Sequence, residues 1–114
     1  MKTLFYTREF PPYVYGGAGV HVEYLATELS KLMHVDVRCF GDQDSEEGNL
    51  TVKGFPYDNP IFDNSEDKLK AIFKTLSTGL HMNAAPIDAD IVHCHTWYSH
   101  FAGIMAKLCY GIPL

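Results

Sequence analysis

A strand, an amphipathic helix and a second strand follow one another between Leu4 and Cys39, and that succession narrows the possible folds more than any other feature of the chain. Leu4-Phe5-Tyr6 is a β-prone run that ends near Thr7, because Arg8-Glu9-Phe10-Pro11-Pro12 brings two prolines that cannot sit inside a sheet. Gly16, Gly17 and Gly19 then open a helical pattern. Val22, Leu25, Ala26, Leu29, Leu32 and Met33 recur at steps of three and four as one apolar stripe, with Glu23, Thr27, Glu28 and Lys31 opposite. Val35, Val37 and Cys39 alternate with Asp36 and Arg38, the period of a strand. A strand that returns through a packed helix lies parallel to the first by a right-handed crossover, so the chain begins a parallel sheet.

The remainder extends that plan. The acidic, glycine-bearing stretch 42–49 reads as a surface loop with Glu46 and Glu47 solvated, and Leu50 to Val52 with Gly54-Phe55 as a third, edge strand. Residues 56–64 read as a turn with aromatic anchors. Ser65 is the expected N-cap of a helix that carries Glu66 and Asp67 in its first turn and buries Leu69, Ile72, Phe73, Leu76 and Leu80. Asp90 to His95 is a further strand. After it Phe101, Ile104, Met105 and Leu108 trace a third helix stopped by Gly111 and Pro113, and Ile112-Pro113-Leu114 reads as the opening of another strand. This order predicts an α/β, Rossmann-like fold, a mainly parallel sheet with helices on both faces.

One domain suits 114 residues of which 46% are hydrophobic and 20% charged. A formal net charge of -5 without any basic run argues against nucleic acid and anionic membrane as partners. Arg8 and Glu9 interrupt the first apolar stretch, so neither a signal-peptide core nor a membrane span is read, and a cytoplasmic location is expected. Cys39, Cys94 and Cys109 are odd in number and widely spaced, which fits reduced thiols rather than a disulfide framework or a zinc knuckle.

In an open parallel sheet ligands bind beyond the carboxyl ends of the strands, which directs attention to the segments after Thr7 and around His93 to Trp97. Tyr15-Gly16-Gly17-Ala18-Gly19 sets glycine-rich backbone at the start of the first helix, where N–H groups and the helix dipole favour a phosphate or sugar hydroxyl. The plainer alternative is that the glycines only turn the chain. A nicotinamide-dinucleotide fold competes, because Asp42 lies near the ~20-residue spacing of a ribose-binding acid. Against it, eight residues, Arg8 to Tyr15, separate the strand from Gly16, and Val22 fills the third glycine position.

His93 and His95 share one face of their strand and Cys94 takes the other. Two histidines at i, i+2 with no third ligand or carboxylate do not make a metal site, so none is expected. His93 reads as a hydrogen-bonded core residue and Trp97 as packed at the strand end. His95, beside an aromatic platform, suits hydrogen bonding to sugar hydroxyls. His34 reads as a helix-end residue, and Arg8 with Glu9 as either a substrate anchor or a surface ion pair.

The string from Thr7 to Pro12 running into Tyr15-Gly16-Gly17-Ala18-Gly19-Val20-His21-Val22, together with His93-Cys94-His95-Thr96-Trp97-Tyr98, closely resembles bacterial ADP-glucose-type glycogen synthases. These are retaining glycosyltransferases of the GT-B fold, in which two Rossmann-like domains face each other across a cleft. The likeness covers essentially the whole chain. It implies that residues 1–114 are an incomplete N-terminal, acceptor-side domain, and that the donor-binding C-terminal domain lies outside them. It also implies glucose transfer from ADP-glucose or UDP-glucose to an α-1,4-glucan acceptor, without a cofactor. By the same likeness Tyr15, Gly16, Gly17 and Gly19 lie near the donor diphosphate and reacting sugar, and His95 and Trp97 border the glucose and acceptor site. Many members carry a lysine where this chain has Tyr15 and an aspartate where it has Thr96. No catalytic residue is assigned within the chain, so negligible transfer is expected from these residues alone, together with self-association through the uncovered edge of strand 91–94. Two other readings stay open: a nicotinamide-dependent oxidoreductase domain and a non-catalytic glucan-binding module.

Overall fold

The computed structural model describes residues 1–57 and 60–114. The elements in chain order are β1 (Lys2–Thr7), α1 (Gly17–Leu29), β2 (His34–Phe40), β3 (Asp44–Glu47), β4 (Leu50–Phe55), α2 (Asp67–Ala84), β5 (Ile91–His95) and α3 (Trp97–Tyr110), with a 3-10 turn at Pro60–Phe62 before α2. Among the described residues one five-stranded sheet runs in the order β3-β4-β2-β1-β5. β1 lies parallel to β2 and to β5, β2 lies parallel to β4, and β3 runs antiparallel to β4.

The sheet is covered on both faces, as its sequence pattern requires. β1 is buried from Thr3 to Thr7, which is why it reads as an unbroken apolar run rather than an alternation. On one face Phe5, Val35, Val37, Cys39 and Val52 meet Val22 and Ala26 of α1. On the other, Leu4, Tyr6 and Val92 meet Met82 of α2, Ala102 and Ala106 of α3, and Ile112. Full burial of side chains of this size is worth about 1.5–3 kcal/mol each, so these two layers dominate the fold's stability. Polar groups inside the second layer are matched. Tyr6 Oη donates to Asn83 Oδ1 at 2.8 Å, and Asn83 Nδ2 donates to the carbonyls of Gly79 and Ala102 at 3.0 and 2.9 Å. Arg38 sits at the end of α2 and donates to the carbonyls of Met82, Ala85 and Pro86, neutralising carbonyls that a helix terminus leaves without partners.

Several local expectations are corrected. α1 stops at Leu29, where the N–H groups of Leu32 and Met33 both turn back to its carbonyl, so Leu32 is 81% exposed and outside the helix. His34 opens β2 instead of closing α1, and its Nε2 lies 3.0 Å from Asp36 Oδ1. The stretch 42–49 contains β3, which turns at Gly48 (φ +59) into β4 and takes the sheet edge, so β4 is an interior strand. β3 carries acidic residues exposed on both faces, so it shows no apolar alternation, and its charges keep an edge from pairing with other chains. α2 begins at Asp67 with Glu66, not Ser65, as its N-cap. Of the turn read over 56–64, residues 58 and 59 lie outside the described residues.

The buried faces of α2 and α3 also differ from the large-residue stripes. Thr75, Thr78, Gly79 and Met82 face inward on α2, while Ile72 and Leu80 are exposed. Ser99, Ala102, Gly103 and Ala106 face inward on α3, while Ile104 and Leu108 are exposed. Close approach is the reason. A Cβ at Gly79 would stand 3.1 Å from Phe101 Cδ1, and one at Gly103 would collide with Cys94 Sγ. Gly111 ends α3 in the left-handed conformation (φ +68), and the Pro113 carbonyl beyond it accepts the Val92 N–H at 2.9 Å, alongside β5. No helix among the described residues is long and apolar enough to cross a membrane.

Gly103→Ala is expected to destabilise the fold by about 1–3 kcal/mol through overpacking against β5. A urea midpoint lowered at unchanged slope would record this, and a midpoint equal to that of the native chain would show that α3 can move off the sheet at no cost.

Candidate functional site

The parallel register of β1 and β5 ends at Thr7 opposite His95, so the segments leaving the two strands start side by side on one edge of the sheet. The first of them, 8–16, is fastened rather than loose. Thr7 Oγ1 donates to the Glu9 carbonyl at 3.0 Å, Glu9 Oε1 accepts the Tyr15 N–H at 2.6 Å, and Gln43 Nε2 donates to the Phe10 carbonyl at 2.9 Å. Gly19 is dictated by packing of this segment on α1, since a Cβ there would lie 2.9 Å from both Glu9 Cβ and Val14 Cγ1. Gly16 and Gly17 are dictated by neither packing nor backbone. Nothing lies within 4 Å of a Cβ at either position, and Gly16 is extended (φ -165).

The second segment carries the histidines. The His95 ring lies 5.0 Å from Phe5, 4.3 Å from His93 and 6.2 Å from His21 of α1, between centroids. Its Nε2 is buried without a hydrogen-bond partner among the described residues. Burial first, then the proximity of His93 and His21, push the imidazole down to about 4, so His95 is neutral at pH 7. Ser99, fully buried one turn into α3, holds the backbone of this corner. Its Oγ accepts the His95 N–H at 3.0 Å and lies within donating distance of the His95 and Thr96 carbonyls, at 2.8 and 3.0 Å. Between them Thr96 adopts φ +68 and ψ 163, a region that a β-branched residue enters at a cost of about 1–3 kcal/mol. Trp97 stacks on Tyr98 with 4.2 Å between centroids, and the Arg8 guanidinium rests 4.3 Å over the Tyr98 ring.

The fold therefore brings the glycine segment and His95 to the same strand ends, with His21 of α1 facing His95. Tyr15 lies to the β2 side, where with Arg8, Tyr13, Phe40 and Gly41 it lines a recess of about 340 Å³. Three readings are corrected. His93 is exposed rather than bonded in the core, because α1 packs mainly on β1 and β2. Trp97 is half exposed and packs on Tyr98 instead of closing the strand end. Arg8 and Glu9 form no ion pair, each being engaged elsewhere. Asp42, the acid considered for a ribose, accepts the Tyr13 hydroxyl at 2.7 Å, and this bond raises the Tyr13 pKa. Val22 is buried in the core where a dinucleotide fingerprint has its third glycine. Sequence reasoning missed His21, Thr96 and Ser99. The i+4 spacing of His95 and Ser99 was its only available signal for the last. Among the described residues no group of three or more His, Cys, Asp or Glu side chains is arranged to hold a metal ion.

A mainly parallel sheet with helices on both faces and a glycine-fronted helix at its strand ends is the Rossmann-like architecture of a GT-B N-terminal domain. Residues 15–114 match Glycosyltransferase Family 4, and the chain belongs to that family. It is 40% identical over 116 residues to an alpha-maltose-1-phosphate synthase of Mycolicibacterium smegmatis, and 42% identical over 113 residues to one of Mycobacterium tuberculosis. It is also 30% identical over 119 residues to an uncharacterized glycosyltransferase of Methanocaldococcus jannaschii. Each alignment covers 99% of this chain, but the chain spans only 27%, 27% and 29% of the lengths of these relatives.

Because the His95 pKa falls from 6.5 to about 4 on folding, the folded state binds fewer protons than the unfolded chain between those values. Its stabilising effect is complete above pH 6.5 and is lost as pH drops toward 4. Between pH 7 and 4.5, His95→Gln should lose about 1 kcal/mol less stability than the native chain, allowing for the ring's partial solvent exposure. Parallel slopes in denaturant titrations across this range would refute the assignment. Thr96→Gly should raise stability by about 1 kcal/mol, read as a thermal midpoint higher by roughly 4–8 °C, by relieving the backbone. An unchanged or lower midpoint would mean that the corner is unstrained.

Proposed function

We propose that this chain is the acceptor-side domain of an enzyme that transfers a glucosyl unit from ADP-glucose or UDP-glucose to a second sugar. The observation that carries this reading is the meeting of the glycine segment and the His95 rim at one end of a parallel sheet. Gly16 and Gly17 have open space before them and no structural need to be glycine, which leaves backbone N–H groups of α1 approachable by a phosphate or a sugar. His95 is held neutral, so its imidazole can exchange hydrogen bonds with uncharged hydroxyls, and Trp97 offers an exposed ring face for stacking on a sugar. Charge stabilisation of the departing nucleotide diphosphate then falls to a second domain facing this one, since Arg8 is the cation that lies at this edge among the groups described above.

The acceptor is either an α-1,4-glucan, as in glycogen synthases, or a small phosphorylated sugar. The relatives named alpha-maltose-1-phosphate synthase favour the second. A product of that kind forms when the C1 carbon of the donor glucosyl unit leaves the nucleotide diphosphate oxygen and bonds to a hydroxyl oxygen of glucose 1-phosphate, whose proton is released.

Incubating the protein that carries this chain with ADP-glucose or UDP-glucose, and with glucose 1-phosphate or maltotetraose, tests the reading. Mass spectrometry should detect a disaccharide phosphate together with free nucleotide diphosphate. Gly16→Val should lower kcat/KM by about 10–100-fold at an unchanged unfolding midpoint, because the substituent meets ligand rather than protein. Elongation of maltotetraose alone would move the reading to a glucan synthase. Absence of nucleotide release with every pair, or selective binding of NAD(P), would overturn it.

A further inference from the structure

We infer that Arg8 and the recess beside it form a subsite for a phosphate monoester on the acceptor sugar, an inference that rests on the transfer reading above and names the feature selecting its acceptor. The chain has two arginines, and they are used in opposite ways. Arg38 spends its guanidinium on three backbone carbonyls at the end of α2. Arg8 donates to no carboxylate or carbonyl among the described residues. It is held by its position over Tyr98, itself stacked on Trp97. A guanidinium that rests over a ring face keeps its N–H edges for a planar or tetrahedral anion.

The surroundings match a sugar phosphate. Tyr13, Tyr15, Phe40 and Gly41 complete the lining of a volume of about 340 Å³, at the low end for small-ligand pockets and suited to one phosphorylated hexose rather than a whole nucleotide sugar. Two carboxylates lie close by, Glu9 accepting the Tyr15 N–H at 2.6 Å and Asp42 the Tyr13 hydroxyl at 2.7 Å; these uncharged donors do not neutralise them, so attraction of a phosphate rests on direct contact with the Arg8 guanidinium. The Tyr13 oxygen keeps lone pairs for a sugar hydroxyl, and the ring faces of Tyr13 and Tyr15 supply apolar surface. The recess opens on the β1–β2 side of the strand ends and the His95 rim on the β1–β5 side, so both features border the same end of β1.

The experiment measures binding separately from transfer, on the protein that carries this chain. Calorimetric titration with glucose 1-phosphate, glucose and ADP is made for the native protein, Arg8→Gln and Arg8→Lys. Arg8→Gln is expected to reduce the preference for glucose 1-phosphate over glucose by about 10–100-fold, the loss of a charge-assisted bond. Arg8→Lys should fall between, because a point charge replaces a fork. An equal preference in all three proteins overturns the subsite. Weakening of ADP alone overturns it too, by placing Arg8 on the donor diphosphate. Selective, Arg8-dependent binding of glucose 1-phosphate without any glucosyl transfer would keep the subsite and sink the transfer reading. Transfer with an Arg8-independent acceptor preference would do the reverse.

Discussion

Everything at the candidate site hangs on β1, the strand that pairs in parallel on both sides and is buried on both faces. Because β2 and β5 run in its direction, their carboxyl ends meet its own at Thr7, with Cys39 on one side and His95 on the other. One strand therefore serves two neighbouring features. The recess of Arg8, Phe40 and Gly41 grows from the β1–β2 boundary, and the histidine rim from the β1–β5 boundary. A slip of β1 by one residue would turn Phe5 out of its core layer and away from His95, so burial of Phe5, Leu4 and Tyr6 is also what holds the site's geometry.

Around that strand the energy is distributed unevenly. The two apolar layers are well matched, and their polar members, Tyr6 with Asn83 and Arg38 with the end of α2, are satisfied. At the strand ends the pattern reverses. Thr96 takes a backbone conformation unfavourable to its side chain, and His95 Nε2 is buried without a partner among the described residues. Both features lie within one corner pinned by the buried Ser99 hydroxyl. A second buried polar atom without a partner among the described residues, Gln43 Oε1, lies apart from this corner, beside Gly41 and Gly54.

The legibility of these parts follows the range of the forces behind them. β1, β2 and β5 were readable because burial on one or two faces writes directly into apolar runs and alternation. β3 was not, since an exposed acidic strand owes its conformation to hydrogen bonds with β4 alone. On α3 the large apolar residues Ile104 and Leu108 misled, because the helix approaches β5 so closely that only Ser99, Ala102, Gly103 and Ala106 fit the interface. The glycine segment and His95 were readable as strand-end residues. The placement of Arg8 on Tyr98 was not, as those residues are far apart in the chain and carry no shared periodicity.

The sequence by itself determined the class of fold and the end of the sheet to which the glycine segment and His95 belong, because period-2 and period-3.6 burial patterns and the one-handedness of a β-α-β crossover are local or nearly local rules. Only the tertiary structure decided which glycine packs and which stands open, which arginine is consumed and which is available, and how far the His95 pKa falls. Those properties depend on distances between segments remote in sequence and on the water that packing excludes, and neither quantity is written at any single position of the chain.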